Sequence, residues 1–563
     1  MTLSLVDLIK KTPTFFNSQY FNQLNLNLAI FLVNTGFCLT AFSLTETKTL
    51  AAEKIYLNYK ALEFSLSIEA LETYAKHGEL QQELKIYANY LTPEQLEDLK
   101  IGLTTEIDLT PLAISQFLYS YQGEKILERL SKIIKTKARQ PGFYAIRSAL
   151  ILAAADEESG GLTPLNVLKN FPTKAIRIDS ERGFEIIENL SQIVQQNNQA
   201  IAAVEQKAIA EIEASKQSTA ANGLTIPNLL QLGTFRYDKQ SLILRDNSRD
   251  RRFSLDLYLP QPQTSEPLPL IVISHGLGSD RTTFDYLAKH LAAHGFAVAV
   301  PEHPGSDANQ IQSLLTGLDD NVTPPEEFID RPLDISFLLD RLETDYGRQI
   351  DVHNVGIIGQ SFGAYTALAL AGAKLNLEQL KQSCQNLDES WNISLLLQCL
   401  ALELPPEYFA LNLRDKRITA AIAINPVVSA VFGEAGMSRI HIPLTIISGS
   451  SDPITPALLE QIIPFTWLTN DNKYLALLKG GTHFSTLNES SGSIPVPSQA
   501  IGPNPTVAQN YIKQLGLAFF RAYIENNLIY QVNFNAKYAN RINNPVIPLS
   551  LVRSLDATIF DLP

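Results

Sequence analysis

The feature that most constrains this chain is a change of pattern near residue 230, after which short apolar runs alternate with helical patterns. Several of the apolar runs are continuous, which is typical of strands that are buried on both faces. Strands that alternate with helices predict a mostly parallel sheet with right-handed crossovers, and therefore an α/β fold. The predicted strands are Ser254–Leu259, Leu270–Ser274, Ala297–Pro301, Val355–Gly359, Thr419–Ile424, Leu444–Ser448 and Tyr474–Leu478, and the predicted helices are Thr282–His294, Pro332–Leu342, Ala364–Ala373 and Pro456–Ile463.

Composition places the chain among ordinary globular proteins and excludes some partners. The 563 residues, of which 45% are apolar and 18% charged, are enough for two or three domains with a sizeable core. The net charge of −13 argues against a nucleic-acid partner, because binding phosphate requires clustered lysine and arginine. The three cysteines, Cys38, Cys384 and Cys399, form no zinc-binding pattern with the histidines, so we expect no metal.

Residues 1–52 show, in order, the features of a secretory signal peptide. Two lysines precede an almost entirely apolar run at Leu28–Leu44, and small residues follow at Ala51 and Ala52. We therefore expect export to a periplasm, a thylakoid lumen or the outside of the cell. The alternative is that the same run remains uncleaved as a membrane anchor, although it is short for a spanning helix and contains Asn34.

The pattern of residues 53–222 predicts a helical N-terminal domain. Apolar residues recur there at helical spacing, Thr92 has the position of an N-cap, and Phe184–Ala214 is a long run of helix formers. A small, polar segment at its end is typical of a linker. The predicted boundaries are a linker at 215–222, an α/β domain at 223–563, an insertion in it at 374–412 and a C-terminal tail at 528–563.

Gly359-Gln360-Ser361-Phe362-Gly363 matches the pattern G-x-S-x-G and lies directly between a predicted strand and a predicted helix. A turn this tight requires small residues beside the serine, here Gly359 and Gly363, and it presents the hydroxyl above the sheet. The dipole of the helix favours the negative charge that develops at that point. The motif therefore predicts Ser361 as a nucleophile.

A serine nucleophile requires a base to take its proton and an acid to orient that base. In folds with this turn, the acid and then the histidine follow the serine along the chain. Asp452 comes just after one predicted strand, and His483 comes just after the next. All three side chains then lie at the carboxyl ends of parallel strands, where such sheets place their sites. We predict Asp452 as the acid and His483 as the base, the alternatives being a turn carboxylate and a loop histidine.

Acyl transfer also requires N–H donors for the oxyanion. The segment His275-Gly276-Leu277-Gly278 follows a predicted strand and matches the loop that supplies one of them. We therefore predict the backbone N–H groups of Leu277 and Phe362 as the two donors. We interpret His275 as a residue that holds this loop by hydrogen bonds rather than as a second base.

Two other regions of the α/β domain have structural interpretations. Proline suits the first turn of a helix, so we expect Arg331-Pro332 to start one, and we interpret Arg331 and Asp334 as structural. The insertion is expected to cap the site, and its leucines either line an acyl pocket or pack against the main domain. These leucines are Leu395, Leu396, Leu397, Leu400, Leu402 and Leu404.

Two further expectations concern the insertion and the tail. In an exported protein, Cys384 and Cys399 are candidates for a disulfide, because oxidising compartments allow such bonds to persist. In the tail, four large apolar residues are expected to pack over the α/β domain. These are Tyr530, Phe534, Tyr538 and Ile547.

Four motifs together resemble the α/β-hydrolase superfamily and, within it, the branch of platelet-activating-factor acetylhydrolases and dienelactone-hydrolase-like enzymes. They are His275-Gly276-Leu277-Gly278, Pro301-Glu302-His303-Pro304-Gly305-Ser306, Arg331-Pro332-Leu333-Asp334 and Gly359-Gln360-Ser361-Phe362-Gly363. The N-terminal region resembles an uncharacterised domain that precedes such hydrolases in secreted cyanobacterial proteins. The resemblance implies ester hydrolysis, no cofactor and export.

One position departs from the acetylhydrolase pattern. In that branch the acid can follow the strand immediately after the nucleophile helix, where this chain has Asn425. Asparagine has no carboxylate, so Asp452, one strand later, is the predicted acid. The departure therefore argues against the acetylhydrolase substrate more than against the serine mechanism.

These residues predict a serine hydrolase of carboxylic esters, with a lipid-like or short- to medium-chain acyl group. A peripheral contact with a membrane is a further hypothesis. The same residues are compatible with a peptidase, a thioesterase or an amidase, and a non-catalytic binding protein on this fold is a third class. The N-terminal helices are alternatively a module that binds a membrane or a partner, and the sequence indicates no oligomeric state.

Overall fold

A computed structural model describes residues 51–59, 62–89, 91–217, 226–261, 266–385, 387, 390, 392–488 and 501–556. The chain divides into two compact units, one containing residues up to 192 together with 312–322, and the other containing 193–311 and residues from 323 onward. The division falls within a long helix, α8 (Ser180–Gln217), ahead of the linker expected at 215–222. The predicted signal peptide lies almost entirely outside the described residues, as does most of that linker.

The first unit combines helices with a small sheet that the sequence pattern did not predict. Its strands are β1 (Lys54–Tyr59), β2 (Leu62–Ser67), β3 (Ile134–Thr136) and β4 (Ala175–Asp179), in the order β2-β1-β4-β3. Only the β1–β4 pair is parallel. These strands have three to six residues, too few for an alternating pattern to be distinguished from a helical one.

The helices of the first unit surround a core of their own, in which Ala70, Ile114 and Ala149 are completely buried. Thr92 caps one of them, as predicted: its side chain accepts from the N–H of Gln95, whose side chain accepts from the N–H of Thr92. The helices are α1 (Ile68–His77), α2 (Gln82–Ala88), α3 (Pro93–Thr104), α4 (Pro111–Tyr119), α5 (Tyr121–Ile133), α6 (Phe143–Ala155) and α7 (Pro164–Lys169), with a 3-10 turn at Glu157–Ser159.

The second unit is built on a nine-stranded sheet, and its seven predicted strands are all present. The strands are β5 (Arg236–Asp246), β6 (Arg251–Gln261), β7 (Leu268–Ser274), β8 (Ala297–Pro301), β9 (Ile350–Gln360), β10 (Ile418–Ile424), β11 (Leu444–Gly449), β12 (Lys473–Leu478) and β13 (Leu549–Val552). Their order is β13-β12-β11-β10-β9-β7-β8-β6-β5. The strands from β12 to β8 in this order are parallel, and β13, β6 and β5 pair antiparallel at the two sides. This arrangement confirms the predicted α/β fold.

Helices cover the sheet of the second unit, and the tail completes its core. Tyr530, Phe534, Tyr538 and Ile547 are buried there, which confirms the expected packing of the tail. Among the described residues, no helix combines the length and the apolar character that crossing a bilayer requires. The helices are α9 (Asp285–Ala293), α10 (Ala308–Leu315), α11 (Glu327–Tyr346), α12 (Phe362–Ala371), α13 (Leu377–Cys384), α14 (Leu395–Gln398), α15 (Gly433–Met437), α16 (Ile463–Thr466), α17 (Pro505–Tyr523), α18 (Leu528–Asn533) and α19 (Ala536–Ile542), with a π-helix at Leu458–Ile462 and 3-10 turns at Cys399–Glu403 and Pro406–Ala410.

The start of α11 corrects the expectation that Arg331-Pro332 begins a helix. The helix begins at Glu327, and Pro332 lies inside it. Proline has no N–H, so the carbonyl of Phe328, four residues earlier, loses its usual helical donor. The buried hydroxyl of Tyr365 in α12 donates to that carbonyl at 2.7 Å. An interhelical hydrogen bond thus compensates for the internal proline and joins α11 to the helix that follows Ser361.

Candidate active site

Ser361 occupies a strained turn between β9, which ends at Gln360, and α12, which begins at Phe362. Its backbone has φ 55° and ψ −117°, a conformation that costs a non-glycine residue about 1–3 kcal/mol. Such strain persists only where the surrounding structure enforces it, and it concentrates at functional sites. The N–H of Ser361 donates to the carbonyl of Ile424 at the end of β10, which holds the turn against the sheet.

The two glycines of the motif are required by close contacts between backbones. A Cβ atom at Gly359 would lie 2.0 Å from the carbonyl oxygen of Gly363. A Cβ atom at Gly363 would lie 2.1 Å from the carbonyl oxygen of Ser274. Both distances are far inside van der Waals contact and involve backbone atoms that cannot move aside. The glycines predicted from the sequence therefore allow β7, β9 and α12 to approach one another.

The predicted acid and base lie against each other. The Nδ1 atom of His483 is 2.7 Å from Oδ2 of Asp452, and both residues are buried. The other oxygen of Asp452 accepts the N–H groups of Ile454 and Thr455, each at 2.8 Å. A carboxylate held on both oxygens keeps the imidazole in one orientation, with Nε2 left to act on a proton.

Thr455 is a site residue that sequence reasoning missed. Its hydroxyl donates to Oδ2 of Asp452 at 2.8 Å and lies 3.3 Å from Nδ1 of His483. An aspartate followed three residues later by threonine, directly after a strand, is a turn signal that points to this contact. The hydroxyl therefore fixes the carboxylate oxygen that the imidazole uses.

Asn425, the residue that departs from the acetylhydrolase pattern, joins the loops of the acid and the base. It has φ 43°, a left-handed conformation that asparagine tolerates better than most residues. Its side-chain oxygen accepts the N–H of Gly449 at 2.8 Å, and its amide donates to the carbonyl of Thr482 at 3.3 Å. A donor and an acceptor are both needed here, and an ionised aspartate would supply only acceptors.

The side chain of Gln360 connects the nucleophile turn to the loop of the base. Its amide nitrogen donates to the carbonyl of His483 at 3.2 Å. A Cβ atom at Gly276 would lie 2.4 Å from the side-chain oxygen of Gln360 and 3.4 Å from Cβ of Ser361. The predicted oxyanion loop, the nucleophile turn and the loop of the base therefore meet at one edge of the sheet.

The two predicted oxyanion donors belong to the residue after Ser361 and to the loop whose Gly276 lies against Ser361. Phe362 is the first residue of α12, so its N–H has no partner inside the helix. Leu277 lies in a turn held by the N–H of Gly278, which donates to the carbonyl of Ser306 at 2.9 Å. Within the part of the chain that the structure describes, the N–H of Leu277 has no acceptor. Both groups are thus available to a negatively charged oxygen.

His275 has the hydrogen bonds of a residue that holds the loop. Its Nδ1 lies 2.8 Å from the carbonyl oxygen of Gly276, and its Nε2 accepts the N–H of His303 at 3.1 Å. Both ring nitrogens are satisfied only when the imidazole is neutral. Complete burial, and then the nearby charge of Arg331, hold the pKa of His275 well below its ordinary value. These contacts agree with the interpretation of His275 as structural rather than as a second base.

The insertion carries the cysteine pair. Cys384 and Cys399 are joined by a disulfide, with their Cα atoms 5.8 Å apart. Leu402 is 37% exposed, whereas the other five leucines are buried. Their burial is compatible with both an acyl pocket and plain packing. Among the described residues, no group of three or more His, Cys, Asp or Glu side chains is placed to hold a metal ion.

Comparison with known proteins gives two family matches in different parts of the chain. The family described as "Alpha/beta hydrolase of unknown function (DUF1400)" matches residues 51–179, in the first unit. The family "Platelet-activating factor acetylhydrolase, isoform II" matches residues 258–314, which run from β6 through the oxyanion loop and β8.

Curated relatives of the chain carry the name platelet-activating factor acetylhydrolase. A platelet-activating factor acetylhydrolase of Canis lupus familiaris is 30% identical over 143 residues, covering 19% of this chain and 32% of the relative. One of Cavia porcellus is 22% identical over 309 residues, covering 46% of this chain and 59% of the relative. The chain thus spans between a third and three fifths of the length of these relatives. The chain is therefore similar to α/β hydrolases over residues 51–179 and to the platelet-activating factor acetylhydrolases over residues 258–314, and the sheet of its second unit has the mostly parallel arrangement of an α/β fold.

Proposed function

We propose that this protein is a serine hydrolase that cleaves carboxylic esters through an acyl-enzyme. The observation that carries the proposal is the 2.7 Å contact between His483 and Asp452, at the same edge of the sheet as the strained Ser361. A nucleophile, a base held by an acid and two N–H donors are the parts that acyl transfer requires.

The reaction follows from the position of each group. His483 takes the proton of Ser361 through Nε2, and the serine oxygen attacks the ester carbonyl. The N–H groups of Leu277 and Phe362 stabilise the oxyanion, and Asp452 stabilises the imidazolium. His483 then gives its proton to the leaving alcohol, which departs and leaves the acyl group on Ser361. Water activated by the same imidazole hydrolyses that acyl-enzyme.

For the substrate, we propose a lipid-like ester or an ester with a short to medium acyl chain. The proposal is supported by the name of the relatives, and the match over the oxyanion loop lies in the part of the chain that meets the carbonyl. Asn425 differs from the acetylhydrolase pattern, so the identity of the acyl group is tested separately from the mechanism. A peripheral membrane contact, through which a lipid would reach the site, belongs to the same proposal.

The first experiment is labelling with a fluorophosphonate probe, alongside hydrolysis of p-nitrophenyl esters of graded chain length. We expect wild type to label and Ser361→Ala to lose both labelling and turnover while remaining folded. Ser438→Ala, at a partly exposed serine after α15, is the matched control and should behave as wild type. Near-wild-type turnover in Ser361→Ala would refute the assignment.

The substrate panel also separates the alternative functions. Amide, peptide and thioester substrates presented beside the esters distinguish a peptidase, an amidase or a thioesterase, because these share the same catalytic residues. A folded wild-type protein that neither labels nor hydrolyses any member of the panel would favour the non-catalytic binding role.

We further propose that the protein is exported. A charged leader and an apolar run precede residue 51, small residues follow at Ala51 and Ala52, and the disulfide of the insertion is suited to an oxidising compartment. N-terminal sequencing of the protein from its native source should begin at Ala52 or Glu53. An intact N-terminus in the membrane fraction would favour the uncleaved anchor instead.

A further inference from the structure

Arg331, which the sequence indicated only as structural, is a completely buried guanidinium beside the site. Its Nε donates to the hydroxyl of Thr366 at 3.1 Å, and its Nη1 donates to the hydroxyl of Ser306 at 2.8 Å. Its Nη2 donates to the hydroxyl of Ser274 and to the carbonyl of His275. Each of these acceptors is neutral, so the positive charge is solvated by hydroxyls and a carbonyl rather than by a directly bound carboxylate.

These contacts reach both halves of the predicted oxyanion hole. The carbonyl of His275 belongs to the loop that carries Leu277, two residues further on. On the other side, the guanidinium carbon lies 4.7 Å from the centre of the Phe362 ring. Thr366, which accepts from Arg331, donates in turn to the carbonyl of Phe362 at 3.0 Å. One side chain therefore links the residues that carry the two N–H donors.

The nearest carboxylates are engaged by other arginines. Asp334 lies 2.7 Å from Nε of Arg251 and 2.9 Å from Nη2 of Arg249. Glu327 lies 2.7 Å from Nη2 of Arg251. Because these two carboxylates have cationic partners of their own, neither forms a direct ion pair with Arg331. Burial lowers the pKa of Arg331 to about 10, so the guanidinium is protonated at neutral pH.

We propose that Arg331 is a positioning residue of the oxyanion hole: it sets the separation of the Leu277 and Phe362 N–H groups and places a positive charge behind them. The inference rests on the proposed serine-hydrolase function. A preorganised cation and fixed donors stabilise charge in the transition state more than in the bound ester. The residue acts through the two donors and does not itself touch the reacting atoms.

The test compares Arg331→Lys and Arg331→Gln with wild type in kcat, KM and affinity for a trifluoromethyl ketone that mimics the tetrahedral intermediate. We expect Arg331→Gln to lower kcat about 10- to 100-fold, below the 10²–10³ that loss of a direct donor causes. KM should change less than about twofold, and affinity for the ketone should fall in parallel with kcat. Arg331→Lys, which keeps the charge but not the fork of donors, should recover part of the loss.

The control is Arg417→Gln, because Arg417 pairs with Asp415 and Asp340 just before β10, at the opposite end of that strand from Asn425. We expect it to lower stability and leave kcat unchanged. If Arg331→Gln does not fold, Thr366→Val removes the link between the guanidinium and the Phe362 carbonyl and should lower kcat and ketone affinity together by a smaller factor.

The outcomes of this test separate the two proposals. Folded variants of Arg331 and Thr366 with wild-type kcat and ketone affinity would overturn the inference, while loss of labelling in Ser361→Ala would still support the serine mechanism. A folded wild type that neither labels nor hydrolyses esters would overturn the function, and the inference with it.

Discussion

Two buried side chains in the second unit, those of Glu460 and Arg331, are both held by neutral hydrogen-bond partners but differ in their surroundings. The carboxylate of Glu460, with the donors around it, joins the insertion to the loop after β10. Its carboxylate accepts the N–H groups of Val428 and Ser429 at 2.7 and 2.9 Å. It also accepts side-chain donors from Asn392, Ser394, Gln398 and Ser429. Every donor that contacts it in the described chain is neutral.

The cluster of Arg331 is a cation held by neutral acceptors, but it continues outward into ion pairs. Asp334 and its two arginines lie next to it, whereas Glu460 has no such neighbours among its hydrogen-bond partners. The difference indicates separate roles. Glu460 satisfies donors from segments that are distant in sequence and so stabilises the fold, whereas Arg331 is proposed to place its positive charge behind the two N–H groups of the oxyanion hole. The first role predicts losses in stability, the second losses in rate.

The largest expected effect on stability comes from Glu460→Ala. The substitution leaves buried donors of the insertion and the β10 loop without an acceptor, so we expect a loss of about 3–5 kcal/mol in the free energy of unfolding. Urea denaturation measures it. Glu407→Ala, at an exposed glutamate of the same insertion, should stay within about 0.5 kcal/mol of wild type. Equal stability of the two variants would contradict the role assigned to Glu460.

The disulfide of the insertion gives the next effect. Replacing both Cys384 and Cys399 by serine opens a loop of 15 residues, which costs about 3 kcal/mol when the unfolded chain regains that freedom. Comparing oxidised and reduced wild type with the double variant measures the same quantity. Thiol titration of the denatured, unreduced protein provides the check: two free thiols in this segment would show that the bond does not form.

Tyr365→Phe tests the contact between α11 and α12 without touching a charge. Loss of the hydroxyl leaves the buried carbonyl of Phe328 without its donor, which should cost about 1–3 kcal/mol. The exposed Tyr144→Phe is the control and should be neutral. We expect kcat to change less than about threefold. A loss of rate as large as that of Arg331→Gln would mean that helix packing, rather than the guanidinium, governs the oxyanion hole.

The smallest effect is a dependence of stability on pH. The pKa of His275 is lower in the folded protein than in the unfolded chain, because burial disfavours the charged ring. As the pH falls below about 6.5, the unfolded chain takes up a proton that the folded protein refuses, so stability falls by up to about 1.4 kcal/mol per pH unit. Glu302, 3.8 Å from Nε2, acts in the opposite direction, because burial raises its pKa to about 7 and the folded protein therefore takes up a proton there before the unfolded chain does.

Denaturation of His275→Gln at several pH values between 5 and 7 isolates this contribution. Relative to wild type, the variant should lose less stability as the pH is lowered across that range. His353→Gln, at a side chain that is 74% exposed, should keep the wild-type slope. Equal slopes for all three proteins would mean that the imidazole of His275 is not kept neutral by the fold.

The sequence by itself was sufficient to predict the parallel part of the sheet and to select the candidate catalytic residues. Strands buried on both faces are continuous apolar runs, so all seven were recognisable, and the nucleophile motif is local because glycines must flank the serine. The order of the motifs along those strands predicted Asp452 and His483, and the structure brings them into contact. Each of these features depends on residues that are close in sequence or on the parallel topology.

Only the tertiary structure decided the rest. The outer strands β5 and β13 lie at the two sides of the sheet: β5 mixes exposed with buried residues and β13 has only four residues, so no long continuous run marks them. The internal Pro332 depends on a hydroxyl from α12, and the roles of Asn425, Thr455 and Arg331 depend on partners from other loops. A hydrogen bond between two segments that are distant in sequence produces no periodic pattern of residues in either segment, so the sequence does not reveal it. The sequence therefore determined which groups are candidates for the reaction, and tertiary contacts decided what holds them in place.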